Sequence, residues 1–322
     1  MTRIMLSLIV GSALALALAA APADADQARS FVSQVPGFGS DAHAPDCTRA
    51  APCAHFQVAH DHTLDNGEIT VLDPGSYGSV TITKNISIIN DGVGEAGILV
   101  SGGGTGITVN APGTAAVTLR GITIKGIGFG GGDAIHFNAG GALNVENCTI
   151  RNLDGAGVGN GILFQPSTTS HLAVSDTAVT DNAGAAIAIM PTGGLGVRAE
   201  LKHVQALRNG LQGVLAFGTN LMSGTIRVTM VESESAFNNT GVTVQSNASP
   251  TTLEVINSIL SHNAGALVTT DPFATLLFGG ATVTGNARTR IITNSATLLS
   301  FGDNYIFDND DGNPTPPTTP KK

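Results

Sequence analysis

The chain is 322 residues long, with 24 acidic against 15 basic side chains and a formal net charge of −9. That balance argues against nucleic acid and against any polyanion held by bulk charge, leaving a calcium-bridged acidic polymer open. With 41 glycines, no tryptophan and only Tyr77 and Tyr305 as tyrosines, it also argues against an aromatic sugar-stacking platform, though not against hydrogen-bonded sugar recognition.

Residues 1–25 read as a secretory signal: Arg3, then an apolar run from Ile4 to Ala20, then an A-x-A site at Ala23-Asp24-Ala25. No later apolar window reaches the ~18 residues of a membrane helix, so no transmembrane segment is expected and the protein is read as secreted, periplasmic or surface-bound. Residues 26–66 form a distinct N-terminal cap, with a short strand at Phe31-Val32-Ser33 and a helix opened by Pro52 and running to about Leu64. Phe56, Ala59 and Thr63 share one face of that helix, as a lid on the end of a stack requires. Cys47 and Cys53 enclose a short loop and are expected to form a disulfide in an oxidising compartment. Cys148, inside a later repeat, is read as a small buried side chain.

From Gly67 the hydrophobic period switches to two, in short runs separated by Gly, Asn, Asp and Pro. A phrase ending in asparagine then recurs every 23 to 30 residues: Asn152, Asn182, Asn209, Asn239, Asn263, Asn286 and Asn309, with Gly126 at the position before the first. Asparagine and glycine share cheap access to positive φ, so this position is read as a left-handed corner. Before each corner comes a run with a terminal apolar residue: Leu119, Val145, Val174, Leu201, Val231, Val255, Phe278, Phe301. Strands this short bury an apolar face only when the next coil lies ~4.8 Å above. Residues 67–310 are therefore predicted to be an all-β stack of roughly nine to ten coils, with the asparagine amides forming an internal ladder. The Pro/Thr-rich segment 311–322 reads as a disordered tail.

Coils of this length with an asparagine corner resemble right-handed parallel β-helices of the pectate-lyase-like superfamily. Phe31-Val32-Ser33, the stretch Cys47-Thr48-Arg49-Ala50-Ala51-Pro52-Cys53-Ala54-His55-Phe56 and the stretch from Gly67 to Gly78 are similar to a group of secreted bacterial β-helix proteins. In that group a cysteine-bearing cap precedes the first coil and no activity is generally assigned. The resemblance implies the fold; fold alone does not give function.

Candidate chemistry lies in five places. The column before each corner reads Lys125, Arg151, Asp181, Arg208, Asn238, His262, Gly285, Asp308. Its cations suit a β-eliminating lyase, which needs a cationic base beside a neutralised carboxylate, but a solvated ion ladder is the plainer reading. The strand after the corner presents His136, Leu163, Ala188, Leu215 and Thr243: one histidine without the two carboxyl groups that acid–base hydrolysis needs, on a face apolar enough to be covered. The Asn-Thr-Asp and Gly-His-Gly phrases expected of polygalacturonases are absent from the sequence.

For calcium, Gly128 to His136 nearly matches one nine-residue ion-binding repeat around Asp133, and Asp308, Asp310 and Asp311 form an acidic turn; a glycine-rich loop and a solvated turn are the plainer readings. His43, His55, His60 and His62 gather in the cap beside Asp61, at spacings a helix would spread. The sequence thus predicts a β-helix protein contacting glycan or protein without catalysis; the alternative is a calcium-assisted uronate lyase. Oligomeric state and ligand identity are not encoded legibly.

Overall fold

The computed structural model describes residues 27–127, 132–154, 159–193, 196–221 and 223–321. The expected signal peptide and Gly128–Gly131 of the glycine-rich loop lie outside them. The chain winds as a right-handed parallel β-solenoid of three sheets, eleven, ten and nine strands deep. One coil shows the pattern: Ala142–Glu146 in the first sheet, Thr149–Arg151 in the second, Ile162–Phe164 in the third, then Ser170–Ser175 back in the first.

Burial alternates along the strands of the first sheet, as in Val197–Lys202, where Val197, Ala199 and Leu201 point in and Arg198, Glu200 and Lys202 point out. In-register stacking turns the inward positions into continuous columns. One such column runs Ile88, Leu119, Val145, Val174, Leu201, Met230, Val255, Phe278. Two members differ from the expected set. Met230 stands where Val231 was expected, and Ser300 rather than Phe301 follows Phe278.

The corners carry the amide ladder one residue away from the left-handed backbone. Positive φ falls on Asp181, Arg208, Phe237, His262, Gly285 and Asp308, each preceding the ladder asparagine; only Asn152 is itself left-handed. This corrects the reading of asparagine as the αL residue. The bend must come first, so that the next side chain swings inward. The ladder runs from Asn182 to Asn209 (3.0 Å), Asn238 (3.0 Å), Asn263 (3.3 Å), Asn286 (3.1 Å), Asn309 (2.9 Å) and Asn313 (2.9 Å), each Nδ2 donating to the next Oδ1. Each Oδ1 from Asn182 to Asn309 also accepts a backbone N–H from the coil before, as from Leu153 to Asn182. Asn239 is outside the ladder and exposed; Asn238 takes the place expected for it and is buried, not outward. Gly126 has no positive φ. A Cβ there would lie 1.9 Å from the Asn152 carbonyl, so glycine is needed for space.

A second left-handed column joins the first sheet to the second: Asn147, Asp176, His203, Glu232 and Asn257. Beside it, hydroxyls of Thr177, Ser233 and Ser258 accept backbone N–H groups of the preceding coil.

Both ends are covered. Strand Gln27–Val32 pairs with Thr63–Val71 at the head of the first sheet. The Cys47–Cys53 disulfide closes the loop beside it, and Phe31 exchanges backbone bonds with Cys47 and Cys53. The cap helix spans Phe56–His62, starting four residues after Pro52, with Phe56 and Ala59 buried. Its side chains close the edge of the third sheet: Gln57 Oε1 accepts from Thr81 N–H (2.8 Å) and His60 Nε2 from Thr83 N–H (3.2 Å). At the other end, the segment expected to be a disordered tail folds back. Asn313 ends the ladder, Pro316 is buried, and Ser300 bonds with the Pro317 carbonyl and the Thr319 N–H. Backbone groups left open at a strand edge outweigh the low hydrophobicity of this segment.

Candidate functional site

The sequence-predicted residues fall into separate clusters. Lys125 and Arg151 are direct neighbours on the outer side of the second sheet. Asp181 and Arg208, at the corner, form a two-pronged ion pair (Nε–Oδ1 2.6 Å, Nη2–Oδ2 2.9 Å). The Arg208 guanidinium, through these hydrogen bonds, holds the Asp181 carboxyl below its ordinary value. A hollow of about 530 Å³ is lined by Lys125, Gly126, Ile127, Asn152, Asp154 and Asp181. Its Asp181 is already neutralised by Arg208.

The outward column continues with Phe237, whose ring stacks on His262 at 4.7 Å. His136 lies on a different sheet, 3.4 Å from Gln165 Oε1 and 3.7 Å from Asp133. Its row runs His136, Leu163, Ala188, Leu215, Thr243 as anticipated, and Ala188 and Thr243 are buried.

The residues considered for metal point apart. Asp133 Oδ1 accepts from the backbone and side chain of Asn160 (3.0 and 2.8 Å). Asp311 holds Thr289 through both carboxylate oxygens, while Asp308 and Asp310 are exposed. In the cap, His43 bonds the Pro52 carbonyl, His55 pairs with Asp41, and buried His60 pairs with Asp61 (2.9 Å). Among the described residues no three His, Cys, Asp or Glu side chains converge in a way that would hold a metal ion. Cys148 is buried, which pushes its thiol up to about 11.

A different surface gathers free charge. On the outer side of the first sheet, His171, Arg198 and Arg227 lie in register on three successive strands, with Ala142 below and Thr252 above. Two residues further along the same strands runs a second row: Asn144, Ala173, Glu200, Thr229, Glu254. Between them is a cavity of about 580 Å³ lined by Asn144, His171, Ala173, Arg198, Glu200, Arg227 and Thr229, with Leu172 and Ala199 at its floor. Ala173 makes the hollow, because it is the smallest side chain in its row. Arg198, Arg227, His171 and Glu200 are exposed, and none makes a side-chain hydrogen bond or ion pair with another described residue. Adjacent strands are ~4.8 Å apart, and two like charges that close repel by about 1 kcal/mol even in water. Three other arginines are ion-paired: Arg29–Glu68, Arg120–Asp91 and Arg208–Asp181. Two stacked, unneutralised guanidiniums are an anion-binding arrangement.

The family description "Right handed beta helix region" matches residues 113–311, more than half of the chain. This chain belongs to the right-handed β-helix family. Among solved structures, this β-helix protein is similar to the pectate lyase Pel9A (14% identity, TM-score 0.58, covering 90% of this chain and 84% of that one). It is also similar to a rhamnogalacturonan lyase (12% identity, TM-score 0.51, 80% and 74% covered). These likenesses establish the fold. No curated protein matches the chain.

Sequence reasoning passed over the first-sheet site, yet a signal for it existed. His171, Arg198 and Arg227 each stand three residues before an inward apolar residue, Val174, Leu201 and Met230. Taking Val231 as the inward residue moves Arg227 out of that column.

Proposed function

We propose that this β-helix protein binds a carboxylate-bearing polysaccharide along the outer face of its first sheet. The observation that carries the reading is the in-register, unpaired stack of Arg198 and Arg227 over His171, beside a hollow wide enough for a sugar ring. Guanidinium forks match carboxylates two-prong to two-prong, and a stack at strand spacing repeats that contact along a polymer lying parallel to the solenoid axis. The β-helix structures with comparable coils, a pectate lyase and a rhamnogalacturonan lyase, are named for action on acidic polysaccharides, which supports the ligand class. Binding is assigned without turnover and without calcium, in a secreted or surface-bound protein.

The test is calorimetric binding of polygalacturonate by the full chain at low salt. Substituting Arg198→Gln and Arg227→Gln together should weaken binding at least about tenfold, the effect of losing one charge-assisted contact of about 1.4 kcal/mol. Unchanged binding in the double variant overturns the site. A second reading, β-elimination, draws on His171 beside the two cations, since a base next to a neutralised carboxylate is what that reaction requires. Growth of absorbance from new C=C bonds, lost in His171→Gln, would replace binding by lyase activity.

A further inference from the structure

The groove is not simply cationic. Glu200 lies two residues beyond Arg198 on the same strand, about 7 Å along it, and Glu254 repeats the carboxylate two strands higher in the same row. Neither makes an ion pair with Arg198 or Arg227, although Lys202 and Glu232 nearby do approach each other and His203 bridges Asp176 and Glu232. The outer face thus carries a positive stripe and a negative stripe side by side, with the Ala173 hollow between Asn144 and Glu200. A ligand with carboxylates alone satisfies the first stripe and is repelled by the second. It also approaches a protein of net charge −9 against long-range repulsion. A ligand with amines alone fails in the opposite sense.

We propose that the preferred saccharide is zwitterionic: a chain whose carboxylates face Arg198 and Arg227 while protonated amines of neighbouring sugars face Glu200 and Glu254. This deepens, and rests on, the reading of the groove as a saccharide site. Specificity then comes from the negative stripe, which weakens the binding of fully anionic polymers relative to zwitterionic ones. Affinity comes from both stripes, each left without an internal partner.

The experiment compares a glucuronate–glucosamine polymer in its N-deacetylated form, with free amines, against its N-acetylated parent, on the full chain at mildly acid pH and low salt. Both carry the same carboxylates. The free-amine form should bind about tenfold tighter. Glu200→Gln should abolish that preference and leave binding of the acetylated parent equal or stronger, with an unchanged melting temperature excluding misfolding. Arg198→Gln should weaken both forms. Equal binding of the two forms, or a preference that survives Glu200→Gln, overturns the zwitterion assignment while Arg198-dependent binding keeps the groove. Binding of neither form, nor of polygalacturonate, overturns the groove itself.

Discussion

At the scale of single residues, Asn238 and Asn239 are chemically identical neighbours with opposite fates. Asn238 is buried, donates to Asn263 Oδ1 (3.3 Å), Ser235 Oγ (3.0 Å) and the Ala206 carbonyl (2.9 Å), and accepts from the Asn209 amide (3.0 Å); Asn239 is exposed. Removing a buried amide strands its partners, at about 1–3 kcal/mol per unsatisfied group. Asn238→Ala should therefore destabilise by about 2–4 kcal/mol in chemical denaturation, and Asn239→Ala by no more than about 0.5 kcal/mol. Equal effects would mean that the register is misassigned. The charged stack makes a prediction of opposite sign. Arg198→Gln relieves like-charge repulsion, so the unliganded protein should be unchanged or stabilised by up to about 1 kcal/mol while ligand binding falls. The exposed Asp181–Arg208 pair, by contrast, should cost no more than about 1 kcal/mol when cut by Asp181→Asn.

At the scale of elements, the cap helix and the tail do the same work at opposite ends. His60 is buried and accepts Thr83 N–H, so it must be neutral at Nε2. Burial pushes its pKa below the ordinary 6.5, opposed by the Asp61 hydrogen bond and assisted by Lys84. The unfolded chain takes up this proton more readily than the folded one, so stability rises with pH across the window. Lowering the pH below 6.5 should progressively destabilise the cap until the depressed folded value is passed. Asp61, held below the ordinary 3.8 by His60 and Gln57 against its own burial, contributes only lower still. Melting temperature followed from neutral to mildly acid pH tests this: His60→Gln should flatten the upper part of the profile. At the far end, truncation after Gly312 removes Asn313 and the Ser300 pairing, exposing an amide and a strand edge. The shortened chain should melt lower and aggregate sooner, an outcome readable by light scattering.

At the scale of the whole molecule, a protein with net charge −9 stacks Arg198 and Arg227 over His171 on its first sheet, so ligand capture there is local rather than steered by the overall field. Binding should weaken as salt rises, because the contacts are exposed. Much of this architecture was legible beforehand. The recurrent corner phrase, the period-two runs and the cap's Cys47–Cys53 loop specify stacked β-coils, since short alternating strands have no other way to bury their apolar side. Lys125, Arg151, Asp181 and Arg208 were visible because they adjoin an easily recognised phrase. Arg198 and Arg227 were not, because they lie on strands with no such landmark.

What the sequence determined by itself is the coil: where the chain bends, which residues alternate and that coil must cover coil. Only the tertiary structure decided the register between coils, because local periodicity tolerates a one-residue slip that turns every side chain to the opposite face. Met230 packing between Leu201 and Val255 settles that choice for its coil. It thereby selects Asn238 for the ladder and aligns Arg227 with Arg198 and His171, distant in the chain but successive along the stack.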